Sequence, residues 1–248
     1  MDGGHQEVLS GIALITGGSR GIGRSFVLEA ARRGYTPVFS YRARSREAEE
    51  TVASAAALGH RCTAVQADLA DFDAVGRLAE AARKAGTISL LVNNAGLGED
   101  IRLRDMTREV WEHYLSVNLT APCFLVKLLV DDLRAQQGVV LNVSSDGGVV
   151  GSLHGAPYGA TKAGLIGLTR TLARELAPEV RVNAIAPGPV STEMWHGMPE
   201  DQKQTVYATT PLRRVARPEE IARAGLDLCE WPNLTGEVLV IDGGRVMS

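Results

Sequence analysis

Several things are scarce in this chain of 248 residues, and each scarcity removes a class of function. Cysteines number three (Cys62, Cys123 and Cys229), an odd count at scattered positions without metal-ligand spacing. They read as reduced core thiols of a cytosolic protein, not as a disulfide framework or a metal site. Aromatic residues make up only 5%. Positive charge is not in excess: 26 Lys and Arg stand against 29 Asp and Glu, for a formal net charge of -3. Nothing electrostatic therefore favours nucleic acid as a partner. No apolar run approaches the roughly 18 residues of a membrane span, and the opening MDGGHQEVLSG is polar, without a signal-peptide core. The expectation is a cytoplasmic protein with no metal and no membrane partner. Linker composition, repeats and charge blocks are also missing, so residues 1–248 read as one domain.

What is present is apolar content and glycine. The chain is 45% hydrophobic, enough for a sizeable core, and its 27 glycines against 10 prolines suggest tight turns, not disorder. Short apolar runs recur along its whole length: IALIT from Ile12, VFSY from Val38, CTAVQA from Cys62, ISLLVNNAG from Ile88, GVVLNVSS from Gly138, VRVNAIAPG from Val180 and VLVI from Val238. Short runs of this kind suit strands buried on both faces of a parallel sheet. Between them lie helix-like stretches. Ile22, Phe26, Val27 and Ala30 fall at helical spacing before Gly34, which is placed to end that helix. A long helical stretch runs from about Thr107 to Arg134, and Pro218 with Glu219 and Glu220 is good first-turn chemistry. Seven strands alternating with helices imply an α/β fold, a single-domain Rossmann-type doubly wound parallel sheet with helices on both faces. The least regular region, about 188–212 with Pro189, Pro199 and Pro211, would overhang the carboxyl ends of the strands, where ligands bind in such sheets.

Three motifs carry chemistry. Thr16-Gly17-Gly18-Ser19-Arg20-Gly21-Ile22-Gly23 follows a strand and opens a helix, so its glycines let the backbone approach a diphosphate at the helix N-terminus. Taken alone it could be a plain strand-to-helix turn. Asn93-Asn94-Ala95-Gly96 ends a later strand and could likewise be only a turn. Ser145, Tyr158 thirteen residues on and Lys162 four after that form the third. On a helix Tyr158 and Lys162 would share a face, and an ammonium about 4 Å away could lower the phenol from its usual pKa of about 10 towards the working range of an acid or base. Tyr-x-x-x-Lys by itself could equally be a surface pair.

These motifs in this order, with Pro187-Gly188, resemble those of the short-chain dehydrogenases/reductases, over about Gly11 to Gly244. Within that family PLRRVARPEEIA, LTGEVLVIDGG and AGLIGLTRTLARELA are similar to the 3-oxoacyl-(acyl carrier protein) reductase branch. The resemblance implies hydride transfer between a nicotinamide cofactor and a carbonyl or secondary alcohol. It implies a catalytic set of Asn118, Ser145, Tyr158 and Lys162, with Asn118 interrupting a helix and anchoring a water that leads to the lysine. Tyr158 would exchange a proton with the substrate oxygen, Ser145 would hold that oxygen, and Lys162 would also bind the nicotinamide ribose. The cofactor would lie along Gly17, Ser19, Arg20, Gly21, Ile22 and Gly23, with Asp68 and Leu69 at the adenine. Asn94, Ala95 and Gly96 would border the ribose, and Pro187, Gly188, Val190 and Thr192 would hold the nicotinamide amide. Asp68 is also a candidate helix N-cap.

Cofactor choice is read from the end of the second strand. NAD-preferring relatives usually carry a carboxylate where this chain has Tyr41, and Arg42 follows. With Arg20 it would suit the 2′-phosphate of NADP(H), unless Arg42, Arg44 and Arg46 are only a solvated helix start. The substrate expected from the branch is a 3-oxoacyl thioester or similar ketone. A sugar or cyclic alcohol and a catalytically silent nucleotide-binding scaffold remain as alternatives. An acyl carrier protein is a doubtful partner: Gln136, Gln137, Pro178 and Glu179 stand where basic residues are common, with Arg134, Arg174 and Arg181 near enough to substitute. Glu193, Met194, Trp195, His196 and Met198 could contact substrate or merely pack a lid, and His154 could face the pocket or solvent. A homotetramer or homodimer is expected from relatives of this size.

Overall fold

The computed structural model describes residues 11–247; the polar opening stretch and Ser248 lie outside the described residues. Seven parallel strands form one sheet: β1 (Ile12–Ile15), β2 (Thr36–Tyr41), β3 (Thr63–Gln66), β4 (Ile88–Asn93), β5 (Val139–Val143), β6 (Arg181–Pro187) and β7 (Val238–Ile241). Their order is β3-β2-β1-β4-β5-β6-β7. The order reverses between β1 and β4, and a doubly wound sheet leaves its ligand crevice at the carboxyl ends of such a pair.

The apolar runs are strands because both sheet faces are covered. Leu14 and Leu91 point into one core layer with Leu78, Leu125, Leu129 and Val182. Their neighbours Ile15 and Leu90 point into the other, with Phe26, Phe39, Ile185 and Leu226. Helices α1 (Gly21–Arg32), α2 (Ser45–Ala57) and α3 (Phe72–Ala85) follow the first three strands. Gly34 follows the end of α1 in the left-handed region, φ +92°, as its spacing suggests.

The expected helix from Thr107 to Arg134 is present but divided. It consists of α4 (Arg108–Leu115), a π-helical turn over Ser116–Thr120 and α5 (Ala121–Ala135). By length and composition alone Arg108–Ala135 could cross a bilayer, although charged residues interrupt it and it holds no apolar run of that length. Leu125, Leu129 and Leu133 of this stretch are fully buried in the core. Next come α6 (Gly147–Val150) and α7 (Ala156–Leu176). The region expected to be an irregular overhang instead contains α8 (Glu193–His196) and α9 (Glu200–Thr209). Glu200 and Asp201 suit the first turn of α9. Before β7 lies α10 (Pro218–Glu230). At its start Glu220 accepts the Arg217 N–H at 2.8 Å, with Pro218 in the first turn.

Two sequence readings change. Asp71, not Asp68, caps α3: its side chain accepts the Asp73 N–H at 2.9 Å. Asp68 turns the chain one step earlier, accepting Ala70 N–H at 2.9 Å. All three cysteines are free, but only Cys229 is fully buried. Burial pushes both it and Cys62 up to about 12, so neither is a ready thiolate.

Candidate active site

The glycine turn joins β1 to α1 and is fixed from both sides. Ser40 of β2 accepts Gly17 N–H at 3.1 Å through its hydroxyl and Gly18 N–H at 2.9 Å through its carbonyl. On the other side Thr16 Oγ1 accepts the N–H groups of Asn94 at 2.9 Å and Ala95 at 3.0 Å. Asn94 Nδ2 donates to Thr16 O at 2.9 Å and Gly17 O at 3.3 Å. Asn94 thus braces the turn in addition to bordering the crevice. Gly17 sits at φ +70°, and a Cβ on Gly23 would lie 2.0 Å from Gly17 O. The backbone is folded on itself as a phosphate cradle requires, at the positive end of the α1 dipole. Ser19 is buried, with its carbonyl accepting from Thr51 Oγ1 at 3.2 Å. Ile22 and Tyr41 are half-buried against the core layer that holds Phe26 and Phe39.

The arginines are arranged differently from the sequence reading. Arg20 forms an ion pair with Glu193 at the start of α8. Arg44 reaches the same Glu193 oxygen at 3.5 Å and Glu47 at 2.8 Å. Arg42 is exposed and its carbonyl accepts from Gln66 at 3.0 Å. Asp68 is also exposed, while Leu69 beside it is buried in the core. The pairing of Arg20 and Arg44 with Glu193 is not legible in the sequence, because Glu193 lies 173 residues from Arg20 and no local pattern connects them.

On the far side of the crevice β5 ends at Val143. Ser144 is structural: its hydroxyl donates to Lys162 O at 2.8 Å. Ser145, the serine chosen by spacing, is the one beside Tyr158. Tyr158 and Lys162 do share a face of α7, with the ammonium 5.8 Å from the phenol ring centroid. The ammonium is buried and donates to the Val143 carbonyl at 2.8 Å. A Cβ at Gly96 would lie 3.3 Å from Lys162 Nζ and 3.4 Å from Asn118 Oδ1. Asn118 sits in the π-turn; its side chain accepts Leu97 N–H at 2.8 Å and donates to Leu97 O at 3.1 Å and Thr161 Oγ1 at 3.1 Å. All four members of the expected set therefore meet at the carboxyl ends of β4 and β5.

The electrostatics correct one expectation. Burial raises the Tyr158 pKa above its ordinary value, the Ser145 hydrogen bond offsets part of this, and the Asp146 charge adds to it. The phenol is not acidified in this state, because the ammonium is turned to Val143 and is itself so desolvated that its pKa falls to about 8.

The remaining predicted positions close the crevice. Pro187 ends β6 and its carbonyl accepts Asp146 N–H at 2.9 Å. Gly188 N–H donates to Ile241 O at 3.0 Å, and Thr192 N–H to Val190 O at 2.8 Å. A Cβ on Gly21 would meet the Thr192 methyl at 3.4 Å, so this segment reaches the glycine turn. Trp195 is buried against Tyr207, ring centroids 5.4 Å apart, and so packs the lid. His154 faces Tyr158 edge-on with centroids 5.4 Å apart, its Nδ1 on Asp100. The Arg181 guanidinium bonds the Trp231 carbonyl at 2.9 Å and the Cys229 carbonyl.

Known proteins agree with this geometry. Residues 17–245 match the family model described as enoyl-(acyl carrier protein) reductase. The chain is 37% identical over 240 residues to the 3-oxoacyl-[acyl-carrier-protein] reductase FabG of Staphylococcus aureus, covering 95% of this chain and 98% of the relative. A 3-oxoacyl-[acyl-carrier-protein] reductase of Synechocystis sp. is 38% identical over 243 residues, covering 95% and 97%. Among solved structures, a blue fluorescent protein from a metagenomic library, in complex with NADPH, superposes with a TM-score of 0.89 at 31% identity, covering 96% of this chain and 98% of its own. With a glycine turn, a Ser–Tyr–Lys group and near-complete coverage in agreement, the chain belongs to the short-chain dehydrogenase/reductase family.

Proposed function

We propose that this protein is an NADP(H)-dependent ketoreductase acting on a 3-oxoacyl thioester or a similar ketone. The observation that carries this reading is the meeting of Ser145, Tyr158 and Lys162 at the crevice whose other wall is the glycine turn. The fit to the cofactor rests on that turn, which a single Cβ on Gly23 would block, and on Arg20, Arg42 and Arg44 near its mouth. NADPH, when bound, supplies the hydride that reduces the carbonyl carbon.

The chain's own residues handle the oxygen. Tyr158 gives its Oη proton to the developing alkoxide, and Ser145 hydrogen-bonds the same oxygen. The raised phenol pKa keeps that proton in place at neutral pH, which suits reduction. Lys162 is held over the crevice by Val143, where it can meet the nicotinamide ribose hydroxyls; Asn118 keeps the neighbouring loop at Leu97 in place. Gly17, Ser19, Arg20, Gly21, Ile22 and Gly23 would line the phosphates, with Asp68 and Leu69 at the adenine. Pro187, Gly188, Val190 and Thr192 would hold the nicotinamide amide.

Curated relatives named for carrier-protein substrates favour an acyl thioester, while the engagement of Arg181 with main-chain carbonyls weighs against docking of a carrier protein there. A homotetramer or homodimer in the cytoplasm is supported by family habit and by apolar surface at Phe72, which meets Phe124 of α5 edge-on with centroids 4.7 Å apart and remains half exposed. A panel of acetoacetyl thioesters, cyclic ketones and sugars, followed by NADPH absorbance, tests the reading. Turnover of thioesters alone supports it, and turnover of none overturns it.

A further inference from the structure

Ser145 has one hydroxyl proton, and Asp146 competes with Tyr158 for it. It is donated to Asp146 Oδ1 at 3.1 Å, an oxygen that also accepts Gly147 N–H at 2.7 Å. The other carboxylate oxygen, Oδ2, lies 3.4 Å from Arg245 Nε, with the two side chains only 19% and 24% exposed. Arg245 belongs to the segment after β7 and also donates to Thr209 Oγ1 of α9 at 3.2 Å. Its buried Nε has no hydrogen-bond partner, so the Asp146 charge is what answers it. That segment is set in place by Asp242, whose carboxylate accepts Gly244 N–H at 2.8 Å and Val246 N–H at 2.5 Å. A line of contacts thus runs from Arg245 through Asp146 and Ser145 to Tyr158. The reductase chemistry uses the last two and gives no reason for the first two.

We propose that Asp146, restrained by Arg245, is a positioning residue that takes the Ser145 proton in the resting site and thereby keeps Tyr158 protonated as the acid for ketone reduction. A hydroxyl has a single proton to give. A proton shared with Asp146 stabilises a phenolate less than one given to Tyr158 alone, and the carboxylate charge opposes phenolate formation directly. Both effects have the same sign. Arg245 has the opposite one, because it neutralises the carboxylate from the far side. The pKa of Tyr158 is raised chiefly by burial; the Ser145 hydrogen bond pulls it down and the Asp146 charge pushes it up, so the two residues act against each other at the phenol. The other groups facing the phenol are Lys162 on α7, His154 with Asp100 behind it, and Tyr114 on α4, whose hydroxyl donates to Glu99 O at 3.0 Å. All of them stay the same when Asp146 or Arg245 is exchanged.

This role rests on the ketoreductase reading, and one experiment separates the two. The pH profile of kcat/KM for NADPH-dependent reduction of acetoacetyl-CoA is expected to show two alkaline steps, Lys162 losing its proton near pH 8 and Tyr158 at higher pH, and the Tyr158 step is the limb that reports here. Asp146→Asn keeps an acceptor for Gly147 and removes the charge; its limb is expected to move down by roughly 0.3 to 1 pH unit. Arg245→Met is expected to move the limb up by a similar amount. Loss of packing alone would lower activity in both variants without shifting the limbs in opposite directions. Limbs that coincide with wild type, or that move the same way in both variants, overturn the role of the pair while the reductase reading stands. Wild-type protein that reduces neither acetoacetyl-CoA nor any other ketone overturns the reading and this role with it.

Discussion

Glu193, at the start of α8, is ion-paired with Arg20 of the glycine turn. The pair ties the segment over the crevice to the place where a 2′-phosphate is expected. An incoming NADPH phosphate must therefore compete with a carboxylate for Arg20, and for Arg44 at 3.5 Å from the same oxygen. Arg20→Ala should weaken NADPH about tenfold or more, the scale of a charge-assisted contact, and weaken NADH far less. Glu193→Gln should tighten NADPH about two- to fivefold, because all three side chains are about half exposed and such pairs are weak. Fluorescence titration with both cofactors measures this. Equal losses for NADPH and NADH in Arg20→Ala would show that the guanidinium does not read the phosphate.

Lys162 is an expensive residue for the unliganded fold. Its folded pKa of about 8 lies below the ordinary 10.5. Below pH 8 both folded and unfolded chains carry the proton and the burial cost is felt in full. Between about 8 and 10.5 the unfolded chain binds the proton and the folded one does not, so stability rises with pH. Lys162→Met should therefore be more stable than wild type at pH 7 by about 1 to 3 kcal/mol, and the gap should close as pH approaches 10. Denaturant unfolding across that range is the check. A gap independent of pH would mean that the ammonium is not strained by burial.

Asn118 satisfies three partners at once: Leu97 N–H, Leu97 O and Thr161 Oγ1. Asn118→Ala would leave both Leu97 main-chain groups without that partner, at a cost of about 1 to 3 kcal/mol. The loop beside Gly96 should loosen with it. Hydrogen exchange at Leu97 should speed up in this variant, and protection equal to wild type would place the loop's support elsewhere.

How far the sequence revealed this molecule depends on what each segment buries. Strands such as β1 and β5 were legible because every residue in them is buried, leaving short apolar runs broken only by Asn142 of β5, whose amide is satisfied by Asn93 and Thr169. The short α9 was not, since it buries none of its residues and so shows no apolar stripe. The apolar pattern does not show the π-turn, because Val117 within it and Ala121 and Leu125 after it all continue to face the core; only the resemblance implied a helix interrupted at Asn118. Asp68 and Asp71 are chemically equivalent as caps, and only the path of the chain selects Asp71. In the site, Ser145 was separable from Ser144 by spacing, whereas Glu193, Asp146 and Arg245 act through contacts between distant segments. The direction of the Tyr158 shift depends on burial and on where the Lys162 ammonium points, and spacing reports neither.

The most direct measurement compares wild type with Tyr158→Phe in NADPH-dependent reduction of an acetoacetyl thioester, alongside NADPH binding to both. If the phenol is the proton donor, turnover should fall by several orders of magnitude in the variant, with NADPH bound nearly as tightly as before. Turnover in Tyr158→Phe equal to that of wild type would contradict it.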